Sequence, residues 1–179
     1  MQAFLKFSAG VDTMNRWFGY IASFCVFAAC AVSSGNAALR YLFSLGSNAW
    51  LELQWYLFAY LVMFGAAHVL KVNEHVRVDL IYGSLGVRGK IWVDLLGLLV
   101  FLMPATLYLL WLCIPPFVDA WHTGEISPNA GGLVHWPARL ALPVGFALVA
   151  LQGVSEIVKR IAMLSGHLTA EAHYERPLQ

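Results

Sequence analysis

The side chains able to do chemistry are few, and most stand at the wrong spacing for it. His68 and His75, with Glu74 between them, are seven residues apart with no further ligand in reach, so a solvated loop explains them better than a metal site. The stretch 83–90, "GSLGVRGK", resembles a phosphate loop, but its glycine spacing is one residue too long and Ile91 stands where Ser or Thr is required. Axial haem ligation needs histidines on facing helices, and only His68 lies near an apolar run. A serine protease would need His68 beside Ser23, Ser33 or Ser34, and these fall at different depths. Cys25, Cys30 and Cys113 all sit within apolar runs, implying neither a disulfide framework nor a zinc cluster. The chain is therefore expected to be no enzyme, with no catalytic residue, no metal and no cofactor.

The elements that carry these residues are membrane spans. Hydrophobic residues make up 60% of the 179 and charged residues 12%, against about 45–50% and about 25% in soluble domains. Residues 17–39, 53–70, 95–118 and 140–155 contain no Asp, Glu, Lys or Arg. A hydrocarbon core of ~30 Å takes about 20 helical residues, so each window spans, the last with help from its flanks. Barrel strands would alternate, and these runs do not. The stretches between are too short for a core of their own, and a net charge of +1 gives no reason to expect nucleic acid. Within the runs the polar groups are Ser23, Ser33, Ser34, Asn36, Gln54, Thr106, Gln152 and Ser155. No acid or base stands mid-membrane, so a proton or sodium path inside this chain alone has almost nothing to run on.

Nine of the eleven Lys and Arg residues fall in the N-terminal tail, loop 71–94 and the C-terminal tail, leaving Arg40 and Arg139 on the other side. The positive-inside rule then places both termini in the cytoplasm. The reading is one all-α membrane domain, 1–179: an interfacial amphipathic helix at 1–16, spans at about 17–39, 53–70, 95–118 and 138–158, cytoplasmic loop 71–94, periplasmic loops 40–52 and 119–139, and a cytoplasmic tail at 159–179. Phe4, Phe7, Val11, Met14 and Phe18 set the apolar face of the first helix. A signal peptide ending near Cys30 is the competing reading, but the uncharged run is too long and its loss would spoil the charge alternation. Cys25, Ala29, Ser33 and Ala37 form a stripe of small side chains at i, i+4 spacing that admits another helix. Pro104 predicts a kink, and Pro115–Pro116 a stop. Glu156 is set to pair with Lys159 and Arg160.

Three segments carry a family resemblance: "ELQWYLFAYLVMFGAAHVLKVNEHVRVDLIY" (52–82), "EISPNAGGLVHWPARLALPVGF" (125–146) and "LQGVSEIVKRIAML" (151–164). In this order they resemble the small membrane subunit of TRAP (tripartite ATP-independent periplasmic) transporters, over nearly the whole chain. The resemblance implies a large multi-span permease subunit as partner, a soluble periplasmic substrate-binding protein that delivers a carboxylate or sulfonate, and the bacterial inner membrane with its lipid. Sodium and substrate sites would lie on the large subunit, and this chain would be a scaffold that braces it and helps form the docking surface. The signature residues are Glu52, Glu74, His75, Arg77, Asp79, Glu125, Ser127, Pro128, Trp136 and Pro137, while Val134 replaces an expected proline. Arg77 and Asp79 order the cytoplasmic loop or touch the large subunit. Arg40, Glu52, Glu125 and Ser127 face the binding protein or fold their own loops. The alternative is a membrane anchor for a redox complex.

Overall fold

The computed structural model describes residues 2–72 and 85–168, and the loop residues Glu74, His75, Arg77 and Asp79 lie outside them. Helix α1 is Gln2–Phe43, α2 is Asn48–Val72, α3 is Val87–Leu96, and α4 is Met103–Thr123, joined to α3 by a π-helical turn at Gly97–Leu102; α5 is Trp136–Leu164. Among the described residues four helical stretches are long and apolar enough to cross a membrane: Gln2–Phe43, Asn48–Val72, Val87–Thr123 and Trp136–Leu164. The architecture is all-α.

The N-terminal amphipathic segment does not break from the first span. At about 1.5 Å per residue, α1 is roughly 63 Å long, about twice a hydrocarbon core, and no proline interrupts its 42 residues. Its buried face takes in only the later part of the expected apolar stripe: Val11 is buried, and Met14 and Phe18 pack against the apolar centre. Ser8, Val11, Asn15, Gly19, Ala22 and Cys25 turn inward, whereas Phe4 and Phe7 stay exposed. The 3,4-spaced polar residues of α1 have partners inside the bundle, so its inward face is mixed, polar near the start and joined by Val11, Met14 and Phe18 further on.

Each helix end has a local cause. Ser44 adopts a positive φ of 54°, and its N–H donates to Arg40 O at 3.1 Å, the αL ending of α1. Gly124, at φ 62°, ends α4 in the same conformation at no steric cost. The expected stop at Pro115–Pro116 is absent, because α4 runs through both prolines to Thr123. At this level the Arg139 guanidinium donates to the Pro116 carbonyl at 3.1 Å, tying α5 to α4. The kink expected at Pro104 takes the form of the preceding π turn. There Met103 N–H reaches back to Leu98 O, and the wider turn relieves the clash of a proline ring with the carbonyl four residues earlier.

The bundle is organised around α5, which packs on α1, α2, α3, the π turn and α4. Half of its apolar window is buried, against 11–17% for the other three spans, so α5 is the core helix and the rest form its wall. Ala22, Phe64, Ala67, Leu70, Leu98, Leu148 and Val149 make the apolar centre. Two glycines set the approach of the helices. A Cβ on Gly145 would stand 2.5 Å from Met63 Cβ, and one on Gly19 would stand 2.8 Å from the His68 ring. The bundle has a terminal end, where α1 begins and α5 finishes, and a hairpin end, where residues 44–47 and 124–135 turn.

Candidate functional site

At the hairpin end the chain builds a small platform from Glu52. This residue lies in the second turn of α2, and its carboxylate gathers three donors from residues 127–133. Oε1 accepts from Ser127 Oγ and from Asn129 Nδ2 at 2.8 Å, while Oε2 accepts from Leu133 N–H at 2.7 Å. The backbone folds to match, with Ser127 N–H to Leu133 O at 3.0 Å and His135 N–H to Glu125 O at 2.9 Å. Ile126 and Val134 face each other as an antiparallel bridge. Gly131, at φ 72°, makes the tip, and a Cβ on Gly132 would meet Ser127 Cβ at 2.5 Å. Tyr56 and Tyr60 hydroxyls donate to Val134 O and Pro137 O at 2.9 and 2.7 Å. Glu125 accepts from Arg139 Nη2 at 2.9 Å and from His135 Nδ1 at 3.0 Å, which requires that nitrogen to carry its hydrogen. The His135 hydrogen bond, with the Arg139 charge beside it, holds the Glu125 carboxyl below its ordinary pKa of 4.5.

At the terminal end α1 and α5 meet along a polar seam. Ser8 Oγ and Ser155 Oγ are 2.6 Å apart, and Asn15 Nδ2 donates to Gln152 Oε1 at 2.7 Å. Gln152 Nε2 is shared between Asp12 Oδ1 at 2.9 Å and Glu156 Oε1 at 3.0 Å. Lys159 bridges the same two acids, at 2.8 Å from Asp12 and 2.7 Å from Glu156. Arg160 then joins Glu156 at 3.3 Å to Asp94 of α3 at 3.2 Å. Lys71 Nζ donates to Asp12 O at 3.1 Å, so α2 is tied in as well. The pairs from Glu156 to Lys159 and Arg160 were legible as i+3 and i+4 spacing. The α1 half was not read as a partner surface. Its signal was Ser8, Asp12 and Asn15 recurring at 4 and 3, matched by Gln152, Ser155, Glu156 and Lys159 on α5.

A third feature opens at the hairpin end between α1 and α2. A cleft of about 480 Å³ is lined by Ser33, Asn36, Arg40, Tyr41, Leu51 and Gln54, among others. Asn36 Oδ1 and Gln54 Nε2 are both buried there without a hydrogen-bond partner. Of the small-residue stripe, Cys25 is buried within the chain, Ala29 is half-buried, and Ser33 and Ala37 are exposed. Geometry explains the divergence. Steps of four residues overshoot a 3.6-residue turn by about 40° each, so the stripe winds off the face that α1 presents to its neighbours. Arg40 lines this cleft, whereas Glu52, Ser127 and Glu125 bond within the platform.

The comparisons decide which kind of protein carries these features. A family model described as "Tripartite ATP-independent periplasmic transporters, DctQ component" matches residues 29–163. The chain belongs to the DctQ family. DctQ is a transporter component family rather than an enzyme family, and the redox-anchor alternative finds no support in it. Neither the curated proteins nor the solved structures gave a match. The matched region contains the platform, the cleft and the α5 half of the seam, while Ser8, Asp12 and Asn15 precede it. This DctQ chain is thus a multi-pass membrane protein of a transport family.

Proposed function

We propose that this DctQ chain is the small, non-transporting scaffold of a sodium-coupled importer of an organic acid. It braces a large multi-span permease subunit in the bacterial inner membrane. A soluble periplasmic protein delivers the carboxylate or sulfonate to the pair. Both termini lie in the cytoplasm, which the 9-to-2 division of Lys and Arg supports. The hairpin end then faces the periplasm, and the platform of residues 125–135 contributes to the surface on which the delivering protein docks.

One observation carries this reading. The ionisable side chains of the described bundle that form ion pairs do so at its two ends, in Asp12–Lys159–Glu156–Arg160–Asp94 and in Glu125–Arg139, where they fasten helices to one another. A carrier needs polar groups exposed along a path at membrane depth. Here the carboxylates of Asp12, Glu52, Asp94, Glu125 and Glu156 fasten parts of the fold together, which suits a brace and leaves sodium and substrate to the partner.

The test is sodium-driven uptake in liposomes containing the large subunit and its binding protein, with and without this chain. Uptake is expected only when all three are present, and the chain alone should pass no substrate. Full uptake without it, or flux through it alone, would overturn the proposal. Replacing Arg77 and Asp79 together distinguishes loop order from contact with the permease. Loss of co-purification with the large subunit while the isolated chain stays folded assigns the pair to contact.

A further inference from the structure

The terminal end of the bundle holds positive charge that its ion pairs do not use. Asp12 and Glu156 are shared by Lys159, and Glu156 and Asp94 by Arg160. Lys71 is half-buried beside them, and its ammonium donates to the Asp12 main-chain oxygen at 3.1 Å. Within α1 that same carbonyl accepts the Arg16 N–H, so the ammonium stands beside the base of the Arg16 side chain. The two charges are close enough to oppose each other. Arg16 is exposed, and neither it nor Lys71 forms an ion pair among the described residues. Two neighbouring cations on different helices are thus placed to share one anion.

Depth identifies the anion. Arg16 immediately precedes the uncharged run 17–39, and Lys71 immediately follows the uncharged run 53–70. Both therefore stand where a hydrocarbon core ends, which is the depth of lipid phosphates. Trp17 and Tyr20 are exposed there, their rings edge to face with centroids 5.9 Å apart, as suits aromatic groups at a membrane boundary. Arg16, Tyr20, Phe24 and Phe27 recur at spacings of 4, 4 and 3, so they share one face of α1, and all four are exposed. A cation pair at the boundary, with an exposed apolar strip running from it into the membrane, fits a phosphate that carries acyl chains. We propose that Arg16 and Lys71 together bind the phosphate of one phospholipid of net negative headgroup, with an acyl chain lying along Tyr20, Phe24 and Phe27. The Arg16 guanidinium donates to the phosphate oxygens, and the Lys71 ammonium faces them while it keeps its bond to Asp12 O. A zwitterionic lipid fits less well, because its own ammonium brings a third positive charge to the pair.

The experiment is native mass spectrometry of the full chain released from nanodiscs of phosphatidylglycerol, phosphatidylethanolamine or phosphatidylcholine, with inorganic phosphate added to the phosphatidylglycerol sample as a separate arm. One retained phosphatidylglycerol per chain is expected, with several-fold less of either zwitterionic lipid and no displacement by inorganic phosphate. Arg16→Gln and Lys71→Gln should each weaken that retention roughly tenfold, the loss of one charge-assisted contact. Lys6→Gln removes an exposed cation from the same end of α1 without touching the pair, and should leave retention unchanged. Arg16 is exposed, so its variant keeps the test informative if Lys71→Gln fails to fold. Equal retention of all three lipids, indifference to Arg16→Gln, a loss in Lys6→Gln as large as that in Arg16→Gln, or displacement by inorganic phosphate would each overturn the proposal.

Discussion

Gln152 is fully buried, and its amide is satisfied on both sides by Asn15, Asp12 and Glu156. Gln152→Leu strands those partners, and leaving a buried polar group unpaired costs roughly 1–3 kcal/mol. The double variant Asn15→Leu, Gln152→Leu should be less destabilised than the two single effects summed, because it removes donor and acceptor together. Thermal unfolding of the four proteins in one detergent measures both. Glu125 supplies a second residue-level prediction. Its folded-state pKa is lowered, so its bonds to His135 and Arg139 contribute fully above pH 4.5 and are lost as the pH falls through the lowered value. The protection factor of the His135 amide, which bonds the Glu125 carbonyl, should fall across that acid window once the pH dependence of the intrinsic exchange rate is divided out. The fall should be smaller in Glu125→Gln, whose side chain does not titrate. Composition announced the absence of charge inside the spans. It was silent on the occupants of the Glu52 carboxylate, because three donors supplied by one loop are a product of its folded turn.

Among the elements, the seams differ in how much they can yield. A Cβ on Gly145 would meet Met63 Cβ at 2.5 Å and the Met63 carbonyl at 3.0 Å, so α2 and α5 must separate to admit it. Gly145→Ala should destabilise by about 1–3 kcal/mol, as overpacking does. Gly153→Ala meets the outer atoms of Met103 and Leu102, at 2.8 and 2.9 Å, which can swing aside. Its cost should fall below that of Gly145→Ala, offset by the roughly 0.5–1 kcal/mol that alanine gains over glycine inside a helix. Chemical or thermal denaturation of the two variants side by side decides the order. The four helices were legible because uncharged runs of sufficient length are a strong signal. The continuity of α1 was not, since an apolar stripe at 3,4 spacing reads the same whether it lies along a membrane surface or runs on into the packed face of a span. Nor was the passage of α4 through Pro115–Pro116 to Thr123, since a proline pair is a stop by its local chemistry alone.

At the scale of the molecule, one helix does the joining. Helices α1, α2, α3 and α4 all rest on α5, and the seam and the Arg160–Asp94 pair converge on its far end. A chain stopped at residue 135 should therefore keep the α1–α2 pair and lose the attachment of α3 and α4 to it, shown by proteolysis at sites the intact bundle protects. Supplying residues 136–179 as a separate chain should restore that protection. The family and the transport class were legible from three separated segments, because such motifs survive in sequence. The central place of α5 was not, since it depends on which faces meet. That place has a consequence for how the protein is made. Synthesis runs from the N-terminus, and α5 is the last of the four spans to emerge from the ribosome. The first two spans can pair as they emerge, because α1 and α2 pack directly on each other, but Ser8, Asp12 and Asn15 must wait for their α5 partners. Closure of the bundle is therefore a late event, reached when the final span is released and Gln152 meets Asn15 and Asp12.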